Sequence, residues 1–499
     1  MTVEREVKLA VPPSFHMPDI DGAINGFVAS SQDDRRINTT YWDTADLGIA
    51  RWGCQLRHRT GEGRGGLWTV KLPAEIDGEA LLREEREFEG GPAKPPSAAV
   101  DLLRAYIRGA ELRPVAKLQT LRRRVALRDG HGVAAGEVVD DEVSVLDGRR
   151  VAGRFREVEV ELDPTVDEAV ATSIVARLRE AGAGASSSTP KHVHALGPQA
   201  AKAPELVVPE LDEDPSIEEV LRGALTSSAI RLLRHDAGVR IGEDPEAVHQ
   251  ARVATRRLRS DLRTYRDLLD ADWAAPLRED LGRLADALGR VRDADVLWER
   301  LRSHSAGLPE ADAAVAKRLR TRLERTRQEA RVALLAELRS TRYGQLLDRV
   351  VAGVQQPAVL DEARRPARAT MAEVMDGPWR HLRAAFDALD ADSANEELHA
   401  ARIRAKRARY AAESTIPVFG KAARRFAEAA ADVQEILGEH QDAVVADAWL
   451  RAAAPGAGSR TSFVSGELAA IERTRADAAR AAWPAAWKQL SRKRMRFWT

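Results

Sequence analysis

The order of apolar and polar residues divides the chain into a strand-rich first part and a helix-rich second part. Up to about residue 195, several short segments alternate apolar and polar side chains, as half-buried β-strands do. After Pro215, long segments rich in Ala, Leu, Arg and Glu repeat their apolar residues with the roughly 3.6-residue period of an α-helix. The alternating segments are residues 3–9, 66–72, 83–88 and 156–162.

The pattern divides the chain into a first domain, a linker and a second domain. Helical periodicity near 100–108 and 167–181 adds two helices to the first part. From residue 195 to 215, proline, glycine and acidic residues are frequent and apolar residues are few, which is typical of a linker. We therefore predict a multidomain protein with a first domain over 1–195, a linker over 196–215 and an all-α domain over 216–499.

The predicted strands of the first domain carry charges along one face. In residues 3–9, Glu4, Glu6 and Lys8 share a face, because side chains alternate along a strand. An amphipathic strand with its charged face in water explains any one such strand. Because the pattern recurs, a closed antiparallel barrel or tunnel with a charged lumen and flanking helices, an α+β domain, is the better interpretation. The other charged faces are Arg57 and Arg59; Arg83, Glu85 and Glu87; Arg122 and Arg124; and Glu157, Glu159 and Glu161.

The helical part contains the same basic row twice. In both copies the steps are three, four and three residues, so the four side chains fall within an arc of about 80° on a helix. On the first row, Leu258, Leu262 and Tyr265 fall on the opposite, apolar face. The rows are His249, Arg252, Arg256 and Arg259, extended by Arg263, and His399, Arg402, Lys406 and Arg409.

A second pair of matching segments indicates an internal repeat. Residues 288–294 begin Leu-Gly and carry an aspartate at the sixth position, as do residues 437–443. Both pairs are offset by about 150 residues and occur in the same order. We therefore predict two helical bundles related by a pseudo-twofold axis, over about 216–345 and 366–495.

Composition narrows the class of protein. Formal net charge is zero, but residues 1–200 carry 27 basic and 31 acidic residues, whereas residues 216–499 carry 49 and 41. The excess of +8 in the second part is modest, so the position of the cations matters more than their number. One cysteine, Cys54, excludes an intramolecular disulfide. No apolar run reaches membrane-spanning length, and the charged N-terminus does not resemble a signal peptide, so a cytoplasmic protein is expected.

The first domain resembles the CYTH family, also called the triphosphate tunnel metalloenzymes. Its N-terminal Glu4-x-Glu6-x-Lys8 is similar to the family's ExExK signature. Gln119 departs from the pattern, since relatives often have a basic residue there. Further elements follow in family order: Tyr41-Trp42-Asp43-Thr44, Leu56-Arg57-His58-Arg59, Thr69-Val70-Lys71, Arg83-x-Glu85-x-Glu87, Pro114 to Lys117 with Arg122, Glu137 to Val143, Glu157-x-Glu159-x-Glu161 and Lys191.

The resemblance implies a tunnel that hydrolyses or otherwise transforms a triphosphate with Mg²⁺ or Mn²⁺. Hard cations take carboxylate ligands, and lysine and arginine neutralise the phosphates, so the residue types fit that chemistry. Glu4, Glu6 and Lys8 are the implied catalytic residues. The implied metal ligands are Glu4, Glu6, Glu159 and Glu161, and the implied phosphate ligands are Lys8, Arg57, Arg59, Lys71, Lys117, Arg122 and Lys191.

The helical domain resembles the CHAD family, named for its conserved histidines in α-helices. The resemblance covers about residues 215–495 and includes both basic rows and both Leu-Gly segments. It implies that the rows bind inorganic polyphosphate, and it leaves association with polyphosphate granules open. Two cation rows are also what a linear anion with regularly spaced charges requires. Histidine would donate to phosphate best when protonated.

Other functions remain open on sequence grounds. The tunnel could be inactive, which would make the protein a polyphosphate binder or granule protein without catalysis. Within the CYTH family, nucleoside and thiamine triphosphates are rival substrates, and Trp42, Trp52 and Trp68 are candidate contacts for a base. Nucleic acid is the rival ligand of the helical domain. The basic run at 488–496, followed by Phe497 and Trp498, is the feature that keeps it open.

Overall fold

The computed structural model separates the chain into two compact units, Met1–Glu205 and Leu206–Thr499. It describes all residues except 1, 22–25, 62–64, 74, 78–79, 164, 187–188 and 455–457. The side chains of residues 2–5, 75–77 and 80–83 also lie outside the description. No helix among the described residues is long and apolar enough to cross a membrane.

The first unit is built on an antiparallel sheet of nine strands among the described residues. Neighbouring strands follow the order β1-β9-β8-β7-β2-β3-β4-β6-β5, and β1 also pairs with β6. That last pairing closes eight strands into a barrel and leaves β5 attached to β6 alone. The strands are β1 (Thr2–Ala10), β2 (Phe27–Asp43), β3 (Gln55–Thr60), β4 (Leu67–Lys71), β5 (Glu75–Asp77), β6 (Ala80–Glu89), β7 (Arg113–Asp129), β8 (Ala134–Asp147) and β9 (Arg150–Leu162).

Both faces of β1 are buried. On the outer face, Val7 and Leu9 are 5% and 0% exposed, and on the inner face Glu6 and Lys8 are 3% and 8% exposed. The charged face therefore does not lie in water, as an ordinary amphipathic strand would require. Closing the sheet converts the charged faces into one lumen, which confirms the predicted tunnel.

Helices lie between the strands and after the last one in sequence, and one of them packs on the outer face of the barrel. Ile174 and Leu178 of α4 pack on Val7, Leu9 and neighbouring apolar residues of β8 and β9. Asp167 caps the first turn of α4, since its carboxylate accepts from the Ala169 amide at 2.8 Å. The helices are α1 (Gly48–Arg51), α2 (Ser97–Leu102), α3 (Arg104–Ile107), α4 (Glu168–Glu180) and α5 (Lys191–Leu196).

The first unit extends beyond the predicted boundary at 195. Glu205 accepts hydrogen bonds from Trp52 Nε1 at 2.9 Å and Arg108 at 2.7 Å, and the Ala203 carbonyl accepts from Arg51 at 2.9 Å. About half of the predicted linker thus packs on the barrel. Composition could not show that this segment is held by side chains far away in sequence.

The second unit is all-α, as its periodicity predicts. Several helices begin at strong caps: Ser216 and Glu219 form a capping box on α6, and Asp244 precedes Pro245 at the start of α7. The helices are α6 (Ile217–Ile241), α7 (Pro245–Thr264), α8 (Ala271–Ser305), α9 (Glu310–Arg339), α10 (Thr341–Gln355), α11 (Ala367–Asp387), α12 (Asn395–Ser414), α13 (Ile416–Phe419), α14 (Lys421–Ala453) and α15 (Ser459–Leu490).

The segments that begin the two predicted repeats pair with each other. The Ile217 amide donates to the Arg365 carbonyl at 3.2 Å, and the Ala367 amide donates to the Pro215 carbonyl at 2.8 Å. The two bonds are reciprocal and flank the pair Ser216 and Pro366, which are 150 residues apart in sequence. This exchange is what a twofold axis between two similar halves would produce. The fold class predicted from the sequence, a β tunnel followed by a helical domain, is confirmed.

Candidate functional site

The barrel lumen contains a cluster of ion pairs between β1 and β9. Lys8 Nζ lies 2.7 Å from Glu159 Oε1 and 3.4 Å from Glu6 Oε1. Lys8 and Glu159 are directly opposite each other in the strand pair, so their side chains point to the same face. The sequence alternation and the strand register together place these three predicted site residues in contact.

Lys191 and Arg122 extend this cluster. Lys191, at the first position of α5, lies 2.7, 2.8 and 2.9 Å from carboxylate oxygens of Glu157, Glu159 and Asp141. Arg122 donates to both Asp141 oxygens, at 2.8 and 2.7 Å, and lies 3.3 Å from Glu159. Asp141 therefore receives a bidentate guanidinium and an ammonium, which is the strong geometry for such pairs.

A second cluster lies on β3, β4 and β6. Lys71 Nζ lies 2.7 Å from Glu85 Oε2, and an Arg57 nitrogen lies 3.3 Å from Glu85 Oε1. Arg59 is two residues from Arg57 on the same strand, is half-buried and shares its face. The predicted cations of β3 and β4 thus face the lumen.

Mutual attraction keeps Lys191 and Glu159 of the first cluster ionised. Burial alone would lower the pKa of Lys191, but Asp141, Glu157 and Glu159 outweigh burial and hold that pKa well above its ordinary value. Burial alone would raise the pKa of Glu159, but Lys191 and the neighbouring cations hold it well below its ordinary value. These groups are charged across the neutral pH range.

Three glutamates could hold a divalent cation. Glu6, Glu159 and Glu161 each offer one carboxylate oxygen, and the three oxygens lie within 4.8 Å of one another. Several carboxylate oxygens that converge are a fitting donor set for Mg²⁺ or Mn²⁺. Glu4 was predicted to join them, but its side chain lies outside the described residues.

Lys117 was predicted to bind phosphate, and the structure contradicts this. Its side chain is exposed, whereas Leu118, Thr120 and Arg122 of the same strand are buried. Lys117 and Arg122 are an odd number of residues apart, so an uninterrupted strand directs them to opposite faces. Gln119 lies on the outer side with Lys117, where it donates to Asn38 at 3.4 Å. The departure of Gln119 from the family pattern therefore does not alter the lumen.

The three tryptophans left open as base contacts pack away from the charged lumen. Trp68 is fully buried and contacts Trp42 and His58, which are on the outer side of the barrel. Trp52 packs against Tyr106 with the rings tilted, and its Nε1 donates to Glu205. The structure gives all three a packing role.

In the second unit, the two basic rows lie on adjacent helices, the first on α7 and the second on α12. We call the nine residues together the ladder: His249, Arg252, Arg256, Arg259, Arg263, His399, Arg402, Lys406 and Arg409. All nine are half-buried. A solvated helix face would instead be fully exposed. On the opposite face of α7, Leu258 and Leu262 are each 2% exposed.

Glycines of the facing helices make room for three ladder arginines. A Cβ added at Gly438 of α14 would lie 3.2 Å from an Arg402 nitrogen. At Gly289 of α8 it would lie 3.7 Å from Arg252 Nε, and at Gly282 it would lie 3.4 Å from Arg259. Glycine within a helix costs about 1 kcal/mol relative to alanine, so close contact with a guanidinium explains its presence. The glycines of the repeated Leu-Gly segments thus lie against ladder arginines.

Acidic partners reach only part of the ladder. Arg252 lies 3.1 Å from Asp293, and Arg409 lies 2.8 Å from Glu413. Asp442 is equivalent to Asp293 in the second copy and attracts Arg402, although burial raises the pKa of Asp442. Among the described residues, no ion pair reaches Arg256, Arg259, Arg263 or Lys406.

Burial and like charges act on the unpaired part of the ladder. Burial lowers the pKa of Arg256, and the nearby Arg252 and Arg402 lower it further. Burial also lowers the pKa of His249, with Arg292 and Arg252 adding to the effect. His249 is therefore neutral at neutral pH in the free protein. The region therefore has an excess of positive charge, which a bound anion would neutralise.

Comparisons with known proteins identify both domains. The family model of the CYTH domain matches residues 2–192, and that of the CHAD domain matches residues 223–451. An uncharacterized protein of Mycobacterium tuberculosis, Rv2226, is 30% identical over 98% of this chain and 96% of its own. The chain belongs to the CYTH–CHAD family.

Solved structures resemble each domain. The CHAD domain from the plant Ricinus communis is 27% identical, covers 57% of this chain and 95% of its own, and has a TM-score of 0.46. HpAC1 of Hippeastrum, a protein with a dominant triphosphatase activity, is 16% identical, covers 40% of this chain and 99% of its own, and has a TM-score of 0.26.

Sequence reasoning missed several residues of both sites. In the CYTH domain, Asp141 and Glu157 complete the contacts of Lys191, and Glu85 joins Lys71 to Arg57. Strand alternation had placed Glu85 and Glu157 on charged faces, but neither was among the predicted site residues. In the CHAD domain, the missed residues are further arginines beside the ladder, which no spacing rule indicated: Arg278, Arg404 and Arg407.

Proposed function

We propose that the CYTH domain hydrolyses inorganic triphosphate with a divalent cation and that the CHAD domain binds inorganic polyphosphate. The CYTH family includes metal-dependent triphosphatases. The observation that carries the proposal for this chain is the lumen itself. It places three convergent carboxylates, Glu6, Glu159 and Glu161, beside the buried cations Lys8 and Lys191.

The lumen offers carboxylates to a metal and cations to an anion, so it suits the binding of both together. Glu6, Glu159 and Glu161 would hold the metal, which would supply charge stabilisation on the transferred phosphoryl group. Carboxylates that turn toward a metal release their lysine and arginine partners. Lys8 would then be free to donate to phosphate oxygens, and Arg122 and Lys191 would each lose the contact with Glu159. Lys71 and Arg57 remain paired with Glu85 and also face the lumen. A triphosphate without a metal would instead meet the carboxylates, which repel it.

The preference for inorganic triphosphate rests on two features. The inner side chains named above are charged and suit phosphate oxygens. Trp42, Trp52 and Trp68, which could have stacked on a base, pack elsewhere. A nucleoside or thiamine moiety would therefore gain little from these side chains.

The CHAD proposal rests on the uncompensated part of the ladder. Arg256, Arg259, Arg263 and Lys406 are half-buried and have no ion-pair partner among the described residues. Desolvated cations are stabilised by an anion that brings many closely spaced charges. A polymer held in this way would also associate the protein with polyphosphate granules.

Phosphate release tests the catalytic proposal. Inorganic phosphates of defined chain length, ATP and thiamine triphosphate are compared with Mg²⁺ and with Mn²⁺. We expect the highest kcat/KM for inorganic triphosphate. Glu161→Gln should reduce it about 10³-fold, because the metal loses a charged ligand. The matched control is Glu142→Gln, an exposed carboxylate of the same barrel. Activity of Glu161→Gln equal to the control would exclude the metal site.

Binding of long-chain polyphosphate tests the CHAD proposal. Replacing Arg252 and Arg402 together with alanine should weaken binding about 100-fold, because two charged contacts are lost. The control replaces Arg380 and Arg383, two exposed arginines of α11, with alanine. Hydrolysis of soluble triphosphate should be unchanged in both variants. RNA that displaces polyphosphate at equal phosphate concentration would identify nucleic acid as the ligand instead.

A further inference from the structure

A cavity of about 650 Å³ lies beside the ladder and is rich in arginine. Its walls come from five helices, α6, α7, α8, α11 and α12, and from the turn that follows α7. This volume is in the range of pockets that hold small ligands. We call it the arginine pocket and define it by Arg263 of α7, Arg278 of α8, His381 of α11, and Arg404 and Arg407 of α12.

The arginine pocket has almost no internal counter-charge. Its acidic lining residues are Asp267 and Glu373, and each has another partner: Asp267 pairs with Arg266 at 3.2 Å, and Glu373 pairs with Arg365 at 3.7 Å. Within the described part of the chain, no ion pair reaches Arg263, Arg278, Arg404 or Arg407. Four arginines that face one cavity and form no ion pair with its two acids repel one another.

The repulsion affects the arginines themselves. Burial lowers the pKa of Arg407 to about 10, and Arg263, Arg404 and Arg259 add to the decrease. Burial also lowers the pKa of Arg263, with Arg278, Arg259 and Arg404 adding to it. An arrangement of this kind costs stability in the free protein, so a bound anion is the simplest reason for it.

The arginine pocket is continuous with the ladder. A smaller cavity of about 140 Å³ is lined by the ladder residues Arg256, Arg259 and Lys406. It shares Arg263, Arg278 and Arg407 with the arginine pocket, as well as Ser260. A linear anion that follows the ladder toward the C-terminal end of α7 therefore leads into the larger cavity.

We propose that the arginine pocket binds the terminal phosphate of a phosphate chain, with the adjoining residues lying along the ladder. This inference rests on the proposed polyphosphate binding and deepens it. A terminal phosphate ionises twice near neutral pH, as a phosphate monoester does, whereas an internal phosphate carries one charge. It therefore matches several converging guanidinium groups better than an internal phosphate does. Walls on five helices also suit a chain end more than a chain that passes through.

Chains with blocked ends test the proposal. Linear polyphosphate of about ten residues is compared with the same chain after both terminal phosphates are amidated with a neutral alkylamine, which removes their second charge. For the full-length wild-type protein, blocking should weaken binding about tenfold. For Arg404→Gln/Arg407→Gln and for Arg278→Gln, open chains should bind about as weakly as blocked ones. Arg380→Gln, outside the pocket, should retain the full preference for open chains.

Two results would overturn end binding. Wild-type protein that binds blocked and open chains equally shows that the pocket does not distinguish an end. Pocket variants that keep the preference for open chains show that the end is held elsewhere. Failure of polyphosphate binding as a whole appears separately: wild-type protein would bind neither form, and replacing Arg252 and Arg402 would change nothing. Circular dichroism confirms folding of each variant.

Discussion

The two domains carry similar cations, but they compensate them in opposite ways. In the CYTH lumen, Lys8, Lys71, Arg122 and Lys191 each have a carboxylate within 3 Å. In the CHAD domain, Arg256, Arg259, Arg263, Arg404 and Arg407 have no ion-pair partner among the described residues. One site is a neutralised network, and the other is a cluster of positive charge.

This difference separates two ways of binding phosphate. A neutralised network gains nothing from an anion alone, since its carboxylates repel the anion as strongly as its cations attract it. It can admit an anion and a metal together, which suits catalysis that requires a metal. A cluster with excess positive charge binds an anion directly and needs no metal. Under the proposed function, the same residue types would serve catalysis in one domain and anion binding in the other.

Removal of divalent metal should produce the largest difference between the activities of the two domains. With a chelator present, triphosphate hydrolysis should fall to background, a decrease of about 10³-fold or more, because no metal then stabilises the charge on the transferred phosphoryl group. Polyphosphate binding to the CHAD domain should stay within about twofold of its value with metal. Phosphate release and equilibrium binding on the same sample measure both. Metal-dependent polyphosphate binding would remove the distinction between the two designs.

Removing one cation from each domain should change stability in opposite directions. Lys191→Met leaves Asp141, Glu157 and Glu159 without their shared ammonium, so the free energy of unfolding of the CYTH domain should fall by about 3–5 kcal/mol. Arg407→Met removes a cation that its neighbours repel, so stability of the CHAD domain should be unchanged or increased. Denaturant unfolding, followed separately for each domain, measures both effects. Equal destabilisation by the two changes would show that the CHAD arginines are compensated after all.

The pH dependence of the stability of Lys191→Met tests the same ion pairs. In wild type, the raised pKa of Lys191 and the lowered pKa of Glu159 both stabilise the folded CYTH domain at neutral pH. The Glu159 contribution is lost as pH falls from about 4.5 toward its lowered pKa, and the Lys191 contribution is lost as pH rises from about 10.5 toward its raised pKa. The variant should lose less stability at alkaline pH, because Lys191 no longer contributes while Lys8, whose pKa is also raised by Glu159 and Glu6, still does. An unchanged alkaline limb would contradict the assignment.

The ladder glycines offer a finer test within the CHAD domain. In Gly438→Ala, the new methyl group lies 3.2 Å from Arg402, whereas in Gly289→Ala it lies 3.7 Å from Arg252. Both changes favour the helix by about 1 kcal/mol. Gly438→Ala should nevertheless weaken polyphosphate binding about threefold, because Arg402 must move. Gly289→Ala is the matched control and should bind normally. Equal affinities for the two variants would mean that the position of Arg402 is not critical.

The smallest expected effect is the pH dependence of polyphosphate binding. The lowered pKa of His249 keeps it neutral near pH 7 in the free protein, and a bound phosphate would raise that pKa. Binding then takes up a proton and tightens as pH falls, by about two- to threefold, until His249 is protonated in the free protein as well. Affinity measured between pH 5 and 8 for wild type and His249→Gln tests this. A histidine that does not face the polymer would leave the two curves parallel.

Strand alternation and helix spacing predicted much of both sites. Glu6, Lys8 and Glu159 were placed on charged faces, and the structure brings them together because those faces close on themselves. Lys117 was placed with them by family order, although its odd separation from Arg122 already opposed this. The arginine pocket could not be predicted, since Arg278 and Arg404 come from helices whose packing no local pattern specifies.

The sequence by itself determined the types of elements, the charged strand faces, the two basic rows and the membership of the CYTH–CHAD family. These follow from residue periodicity and short motifs, which act within one strand or helix. Only the tertiary structure decided which cations are neutralised. Lys191 finds its carboxylates on β8 and β9, whereas Arg407 finds other arginines, because Coulomb interactions act across space between residues far apart in the chain.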